Sequence, residues 1–369
     1  MKSKKIIFLQ AVLMFLLILT HILFSENLVQ APVVLAKNTF TKKNIFIAEN
    51  KNTILLLRPN LLSFYAKIVV LDSNNGSIGP NRNGYMSVGS QRYSTNLIAY
   101  GLVTKNVDLI ETGIRTIEYA FTYQNDNGSF PDYSPGNFGG ANPSSVAFFY
   151  HDLGQSLLLC KESKWFQRSK ETAKLRVRLN KLLIPTSTSL TWLIEQKQLL
   201  LKGDGNGRAT NRLFIDALAF YLAGKYLNRS DAVMLGEYYA KLALQQQTKE
   251  GFFLEKRASD SSYQAVSLFK ALVLYSNLEP SAISLKLSLW QGIEKGIAWQ
   301  LSHILTTGEV STAENSRVYP GGETYLGKEK HIDYVAVIMA LNYYSHLSDN
   351  HFVQNIADQV FRYYRKKSI

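Results

Sequence analysis

The chain is poor in nearly everything that marks a disulfide-stapled, metal-dependent or nucleotide-binding protein. It has one cysteine, Cys160, in 369 residues, which excludes an intramolecular disulfide framework and any cysteine-based zinc site. In an apolar stretch that lone thiol reads as a small buried hydrophobe. Six histidines, His21, His151, His303, His331, His346 and His351, show no paired spacing of the HExxH kind. Gly321-Gly322 sits in a long loop without the strand and helix that a phosphate cradle requires. The run Asp204-Gly205-Asn206-Gly207-Arg208 opens like a calcium loop, but Arg208 stands where a third oxygen ligand belongs and no glutamate closes the loop. It reads as a turn. No nucleic-acid motif is present, so neither metal, cofactor nor nucleic-acid partner is expected.

What the chain does contain is apolar patterning and positive charge. With 46% hydrophobic and 12% aromatic residues it can bury a full core. The formal charge is +13, and without residues 1–36, which hold three lysines and one glutamate, it is still +11. Such a field attracts polyanions: acidic polysaccharide, anionic lipid heads or nucleic acid. A generally basic protein with no polyanionic ligand gives the same charge. The cations are scattered except at Arg362, Arg365, Lys366 and Lys367.

At the N-terminus Lys2, Lys4 and Lys5 precede an apolar run from Ile6 to Phe24, broken only by Gln10, Thr20 and His21, and Val34-Leu35-Ala36 offers a signal-peptidase site. Residues 1–36 therefore predict export to the periplasm or beyond, either as a cleaved signal peptide or as an anchor attached to the membrane through residues 6–24. Residues 37–52 read as a linker or short edge strand, and 53–369 as one domain.

Helical patterning fills that domain. It starts near Thr53, with Pro59 early enough to begin or kink a helix, gives way to an Asn- and Gly-rich loop over Asp72–Ser90, and resumes from Gln91. Later helices are predicted from Ser144 with serine as cap, over Phe166–Leu201 with a break at Pro185, over Asp231–Gln247, from Asp260 or Ser261, over Ser284–Leu305, from His331, and over about His351–Arg365. Glycine turns separate consecutive pairs at uneven spacing, a structural repeat without a strict period. About eleven helices and little strand predict an all-α array of hairpins. Closing the array would bury the apolar faces and gather the polar helix openings into one cleft.

Three stretches carry a family resemblance: Asp126-Asn127-Gly128-Ser129-Phe130, Glu250-Gly251-Phe252-Phe253-Leu254-Glu255 and Asp260-Ser261-Ser262-Tyr263-Gln264. They resemble the turn and inner-helix opening that line the sugar cleft of the (α/α) toroid families, the six-hairpin glycosidases and the polysaccharide lyases of the alginate and heparin type. The resemblance implies a toroid of helical hairpins and a carbohydrate ligand. Phe121, Gln124, Gly128 and Phe130 also resemble the Gln-aromatic turn repeat of terpene cyclases, but the Asp-rich signatures of those enzymes are missing, so only the helix-pair architecture is kept.

Elimination from a uronic acid needs a group that neutralises the carboxylate, a base for the adjacent proton and an acid for the departing oxygen. Candidates at the helix openings are Tyr150, His151 and Asp152; Asn211 and Arg212; Tyr263 and Gln264; and His331, Asp333 and Tyr334. Hydrolysis needs two carboxylates across the glycosidic bond, for which Glu255, Asp260, Asp152, Glu323 and Asp333 are eligible. Asp216, further into an apolar helix, fits a buried structural role better. The expected catalytic set is Glu255, Asp260, Tyr263, His151, Asp152, His331 and Asp333. Asn211, Arg212, Gln264, Tyr334, Arg257 and Tyr150 are the expected substrate contacts. Each of these residues also has an ordinary reading as a cap or loop anchor. The expected partner is an anionic polysaccharide that the protein binds and, in the stronger form of the expectation, cleaves. The alternative is a non-catalytic envelope protein that keeps the fold as a binding or assembly surface.

Overall fold

The computed structural model describes residues 53–205 and 208–367, so residues 1–36, expected to direct export, and the linker expected over 37–52 lie outside the described residues. The described chain is all-helical apart from a two-residue antiparallel pair, β1 (Thr324–Tyr325) and β2 (Lys328–Glu329), in one loop. None of its helices is long and apolar enough to cross a membrane.

A 3₁₀ turn at Thr53–Leu56 leads into α1 (Pro59–Lys67), so the proline starts the first α-helix. Then come α2 (Ser94–Thr104), α3 (Val107–Phe121) and α4 (Pro143–Glu162). The last starts earlier than Ser144: Pro143 occupies its first turn, and Asn142 is the cap, accepting from the Ser144 and Ser145 N–H groups. The stretch expected to be helical over 166–201 with one break at Pro185 is four short helices, α5 (Lys164–Arg168), α6 (Ala173–Lys181), α7 (Leu183–Glu195) and α8 (Lys197–Asp204). Pro185 lies in the first turn of α7, where a missing N–H costs nothing, so the breaks fall elsewhere. One of them is held by the Thr172 hydroxyl, which donates to the Phe166 carbonyl at 2.6 Å. After α9 (Thr210–Leu227), α10 (Ser230–Gln245), α11 (Ser261–Asn277) and α12 (Ile283–Ser302) come α13 (Tyr334–Ser348), three residues later than expected because Asp333 is its cap, and α14 (His351–Lys367).

Two kinds of helix alternate. In α4, α9, α11 and α13 most residues are buried, on all sides of the helix, including faces that carry Ser, Asn and Gln. Their partners α3 and α14 bury one stripe, such as Ile110, Ile114 and Ile117 or Val353, Ile356 and Val360. The fully buried helices touch in sequence, α2 to α4, α4 to α9, α9 to α11 and α11 to α13, and each of α2, α9, α11 and α13 pairs with the amphipathic helix that follows it. Residues 53–67 contact both α2 and α13. The Thr53 hydroxyl donates to Ser276 Oγ at 2.9 Å, Asn96 Nδ2 donates to the Tyr65 carbonyl at 2.8 Å, and Arg58 pairs with Asp358, 300 residues away in sequence.

Three turns before the buried helices share one design. At Gly251 the N–H bonds the Thr248 carbonyl at 3.2 Å while the Thr248 N–H bonds Phe252 at 2.9 Å, and the same pair of bonds forms around Gly128 and Gly308. Gly251 has φ +106°, and a Cβ there would stand 2.5 Å from the Lys295 carbonyl oxygen on α12. Conformation and contact both demand glycine. Each such turn is thereby pressed onto the amphipathic helix of a later hairpin.

Candidate functional site

Polar side chains at the openings and in the interiors of the buried helices form two clusters of opposite character. The first surrounds Glu255, which is completely buried. Its carboxylate takes the Asn211 N–H at 2.9 Å and Arg317 Nη1 at 2.6 Å. The other edge of Arg317 meets Glu323 with two 3.1 Å bonds, and Glu323 also accepts from Lys330 at 2.7 Å and pairs with Lys256 at 2.5 Å. Asp260 caps α11 through the Ser262 and Tyr263 N–H groups and, with its second oxygen, accepts the Arg317 and Val318 N–H groups at 2.9 and 2.8 Å. Tyr263 lies under the Arg317 guanidinium at 3.7 Å, and its hydroxyl accepts from Lys330 at 2.8 Å. Three acids and three bases thus neutralise one another. Burial pushes Glu255 up to about 7 against the pull of Asn211 and Arg317. Burial would raise Glu323 too, but Arg317, Lys256 and Lys330 hold it far below the usual carboxylate range.

The second cluster is built around His151 and Lys270. His151 lies two turns inside α4 rather than at its opening, because the helix begins at Pro143. Its Nε2 stands 2.9 Å from Lys270 Nζ on α11, and with an ammonium as donor this nitrogen is the acceptor of a neutral imidazole. Burial, then Lys270 and Arg92, hold His151 well below its ordinary value. Burial also pulls Lys270 down to about 8, with Arg92 adding to it and the more distant Asp152 and Asp333 opposing. Among the described residues Lys270 forms no ion pair; its other neighbour is the Phe269 ring at 4.7 Å.

Arg92 is clamped beside this pair. Its guanidinium lies 4.8 Å from the Phe148 ring centre and 5.4 Å from that of Tyr93, donating to the Gly89 carbonyl and the Tyr93 hydroxyl. Tyr93 holds φ +96° immediately before α2, a conformation costly for a side chain of that size. Tyr325 and Asp333 act on Arg92 through space, and Asp152, Tyr343, Tyr93 and Asp333 act on the buried Tyr65 hydroxyl, which burial chiefly raises. Groups from α1, α2, α4, α11 and α13 therefore face one region, and exposed aromatics, Tyr93, Tyr133, Phe138 at 98%, Tyr319 and Tyr325, occur on the loops leading into α2, α4 and α13.

The remaining expected residues fall at varied distances from this region. Asp152 caps α2 from outside, accepting the Ser94 N–H at 2.8 Å and hydroxyl at 2.5 Å. Asp333 caps α13, is exposed, and its N–H bonds Ser262, where the two clusters meet. Tyr150 is wholly buried and gives its hydroxyl to the Thr186 carbonyl. Gln264 locks the Gly251 turn, accepting the Phe253 N–H at 2.8 Å and donating to Gly296. Arg212 pairs with Asp204 at 3.1 Å, and Tyr334 stacks on Tyr364 while accepting the Val310 N–H. Asn211 reaches the first cluster through its backbone only. Arg257 and His331 are exposed. Asp216 is buried, with its carboxyl pushed up by burial and then by Asp204.

Lys270 and Arg317 are absent from the expected set. Lys270 carries a sequence signal: it is one cation inside the apolar run VSLFKALVLY. Arg317 carries none, standing in a polar loop six residues from Glu323 but more than fifty from Glu255 and Asp260. Among the described residues no three His, Cys, Asp or Glu side chains gather as a metal site. Comparison of the chain with family models, with curated proteins and with solved structures found no match.

Proposed function

We propose that the hairpins close into an (α/α) toroid whose buried-helix openings surround a cleft for an acidic polysaccharide, and that the protein cleaves this polymer by elimination after export. The closed order of neighbours, from α2 through α13 back to residues 53–67, supports the ring. One observation carries the ligand: Lys270, a lysine without an ion pair, bonded to neutral His151 beside a clamped Arg92. A site so arranged has positive charge to offer, opposed at a distance by Asp152 and Asp333, and forms no ion pair among the described residues, which suits a carboxylate-bearing sugar.

The roles follow from the geometry. The uronate carboxylate takes the place of His151 as partner of Lys270 and shares Arg92, which neutralises it and makes the neighbouring C–H acidic. His151 Nε2, released from the ammonium, accepts that proton, and the Tyr93 hydroxyl delivers one to the departing oxygen. Hydrolysis fits less well, because Glu255, Asp260, Asp152 and Glu323 are each committed to two or more donors. The depth of His151, which is 6% exposed, favours one second reading: a toroid that binds the glycan without cleaving it.

The test is incubation of the protein with alginate, heparin-type and pectic polymers, following the ultraviolet absorbance of the unsaturated uronate. Elimination predicts a rise that Lys270→Met and His151→Gln abolish. Binding without a rise selects the second reading, and cleavage or binding that survives Lys270→Met sinks the site.

A further inference from the structure

Away from the cleft, α1 and the last turns of α14 enclose a recess of about 240 Å³ lined by Asn60, Ser63, Phe64, Lys67, Phe361 and Arg365. Its floor is aromatic: the Phe64 ring meets Phe361 edge-on at 5.0 Å and Tyr364 at 5.8 Å. Its rim is cationic. Lys67, Arg362, Arg365, Lys366 and Lys367 are all exposed, and among the described residues only Lys367 of these has an acidic partner, Glu309 at 3.7 Å. The two helices bear a single acid, Asp358, which is spent on Arg58. The helix dipole favours cations at this end, but four like charges in the last six residues of a helix also repel one another, so one or two would serve the fold as well.

The geometry points to this face as a docking surface for an anionic phospholipid membrane, with a lipid phosphate between Lys67 and Arg365 and its apolar part against Phe64 and Phe361. Two features select a membrane over a free anion. The recess joins an apolar floor to a cationic rim, the combination an amphiphile presents in reverse. The sequence before Thr53 also carries the apolar run Ile6–Phe24, and one apolar element plus a polybasic patch is the pairing that gives stable membrane attachment. The inference does not rest on cleavage in the cleft and survives its failure.

Cys160 is buried, so a cysteine at Ser63 offers one reactive thiol for a polarity-sensitive dye. With the labelled full chain, vesicles of phosphatidylcholine plus phosphatidylglycerol are expected to shift the dye to the blue, and phosphatidylcholine alone is not. Replacing Arg362, Arg365, Lys366 and Lys367 together by Gln should weaken that partitioning by roughly 100-fold or more, and raised salt should weaken it too. Co-flotation with an unchanged dye would mean that the apolar run alone holds the membrane. Equal shifts on both vesicle types would remove the role of the phosphate, and a shift on alginate but not on vesicles would assign the face to glycan. Any of these three results overturns the inference.

Discussion

The two polar clusters, one at the opening of α11 and one inside α4 and α11, have similar ingredients and opposite balance. Around Glu255 every charge has a partner, and Asp260 alone takes four backbone N–H groups. Around Lys270 the cations outnumber the free anions, the imidazole is kept neutral, and a tyrosine is held at positive φ. A fully paired network has no valence left for a ligand and acts as a clasp, here fastening the 303–333 loop to the start of α11. An under-paired one is costly to the fold and is retained where something else completes it.

The sharpest way to break this contrast is Arg317→Ala, which strands Glu255 at 0% exposure while Glu323 keeps Lys256 and Lys330. A loss of about 3–5 kcal/mol in unfolding free energy is expected by denaturant titration; a loss below 1 kcal/mol would mean that the clasp is not one. Lys270→Met should do the reverse. Unfolding stability is expected to hold or rise, because an ammonium without a carboxylate leaves the interior, while calorimetric affinity for an acidic oligosaccharide falls roughly 10- to 100-fold, the worth of one charge-assisted hydrogen bond.

Titration separates the clusters by sign. Glu255 is raised from 4.5 to about 7, so between those values the folded chain holds a proton that the unfolded chain has lost, and stability falls as pH rises across that window. Lys270 is lowered from 10.5 to about 8, so from 8 upward the unfolded chain holds the extra proton and stability rises with pH. Glu255→Gln should flatten the first slope and Lys270→Met the second in thermal melts across pH; a slope unchanged by its own variant refutes that assignment. Above about pH 8 anion binding should also decline as Lys270 discharges. The smallest effect is Tyr263→Phe, which removes one hydroxyl from Lys330 and should cost about 1 kcal/mol, with glycan affinity unaltered.

Much of the scaffold is legible in the sequence because it is set by local physics. Asp260 before Ser-Ser-Tyr and an apolar stripe is a cap signal, and it caps; the Gly251 turn and the all-helical class follow from comparable short-range patterns. Boundaries slip where two local signals compete, as at Pro143 against Ser144. The site was less legible for a different reason. Carboxylates attract the eye as catalysts, yet whether one is free depends on partners far along the chain, and Arg317 reaches Glu255 across 62 residues. His151 and Lys270 meet across 119. His151 is among the expected catalytic residues, but its partner Lys270 shows in the sequence only as a cation in an apolar setting, and a search confined to helix openings passes over it.

Residues 53–67 wedge against α2 on one side and against α13 and α14 on the other, with Arg58 gripping Asp358. This joint pairs residues near the start of the described chain with α14, so a chain leaving the ribosome or a translocon cannot complete it until α14 has emerged. The early hairpins must wait with one apolar flank uncovered, and a truncation that removes only α14 should yield a product that accumulates with chaperones instead of a slightly smaller folded protein.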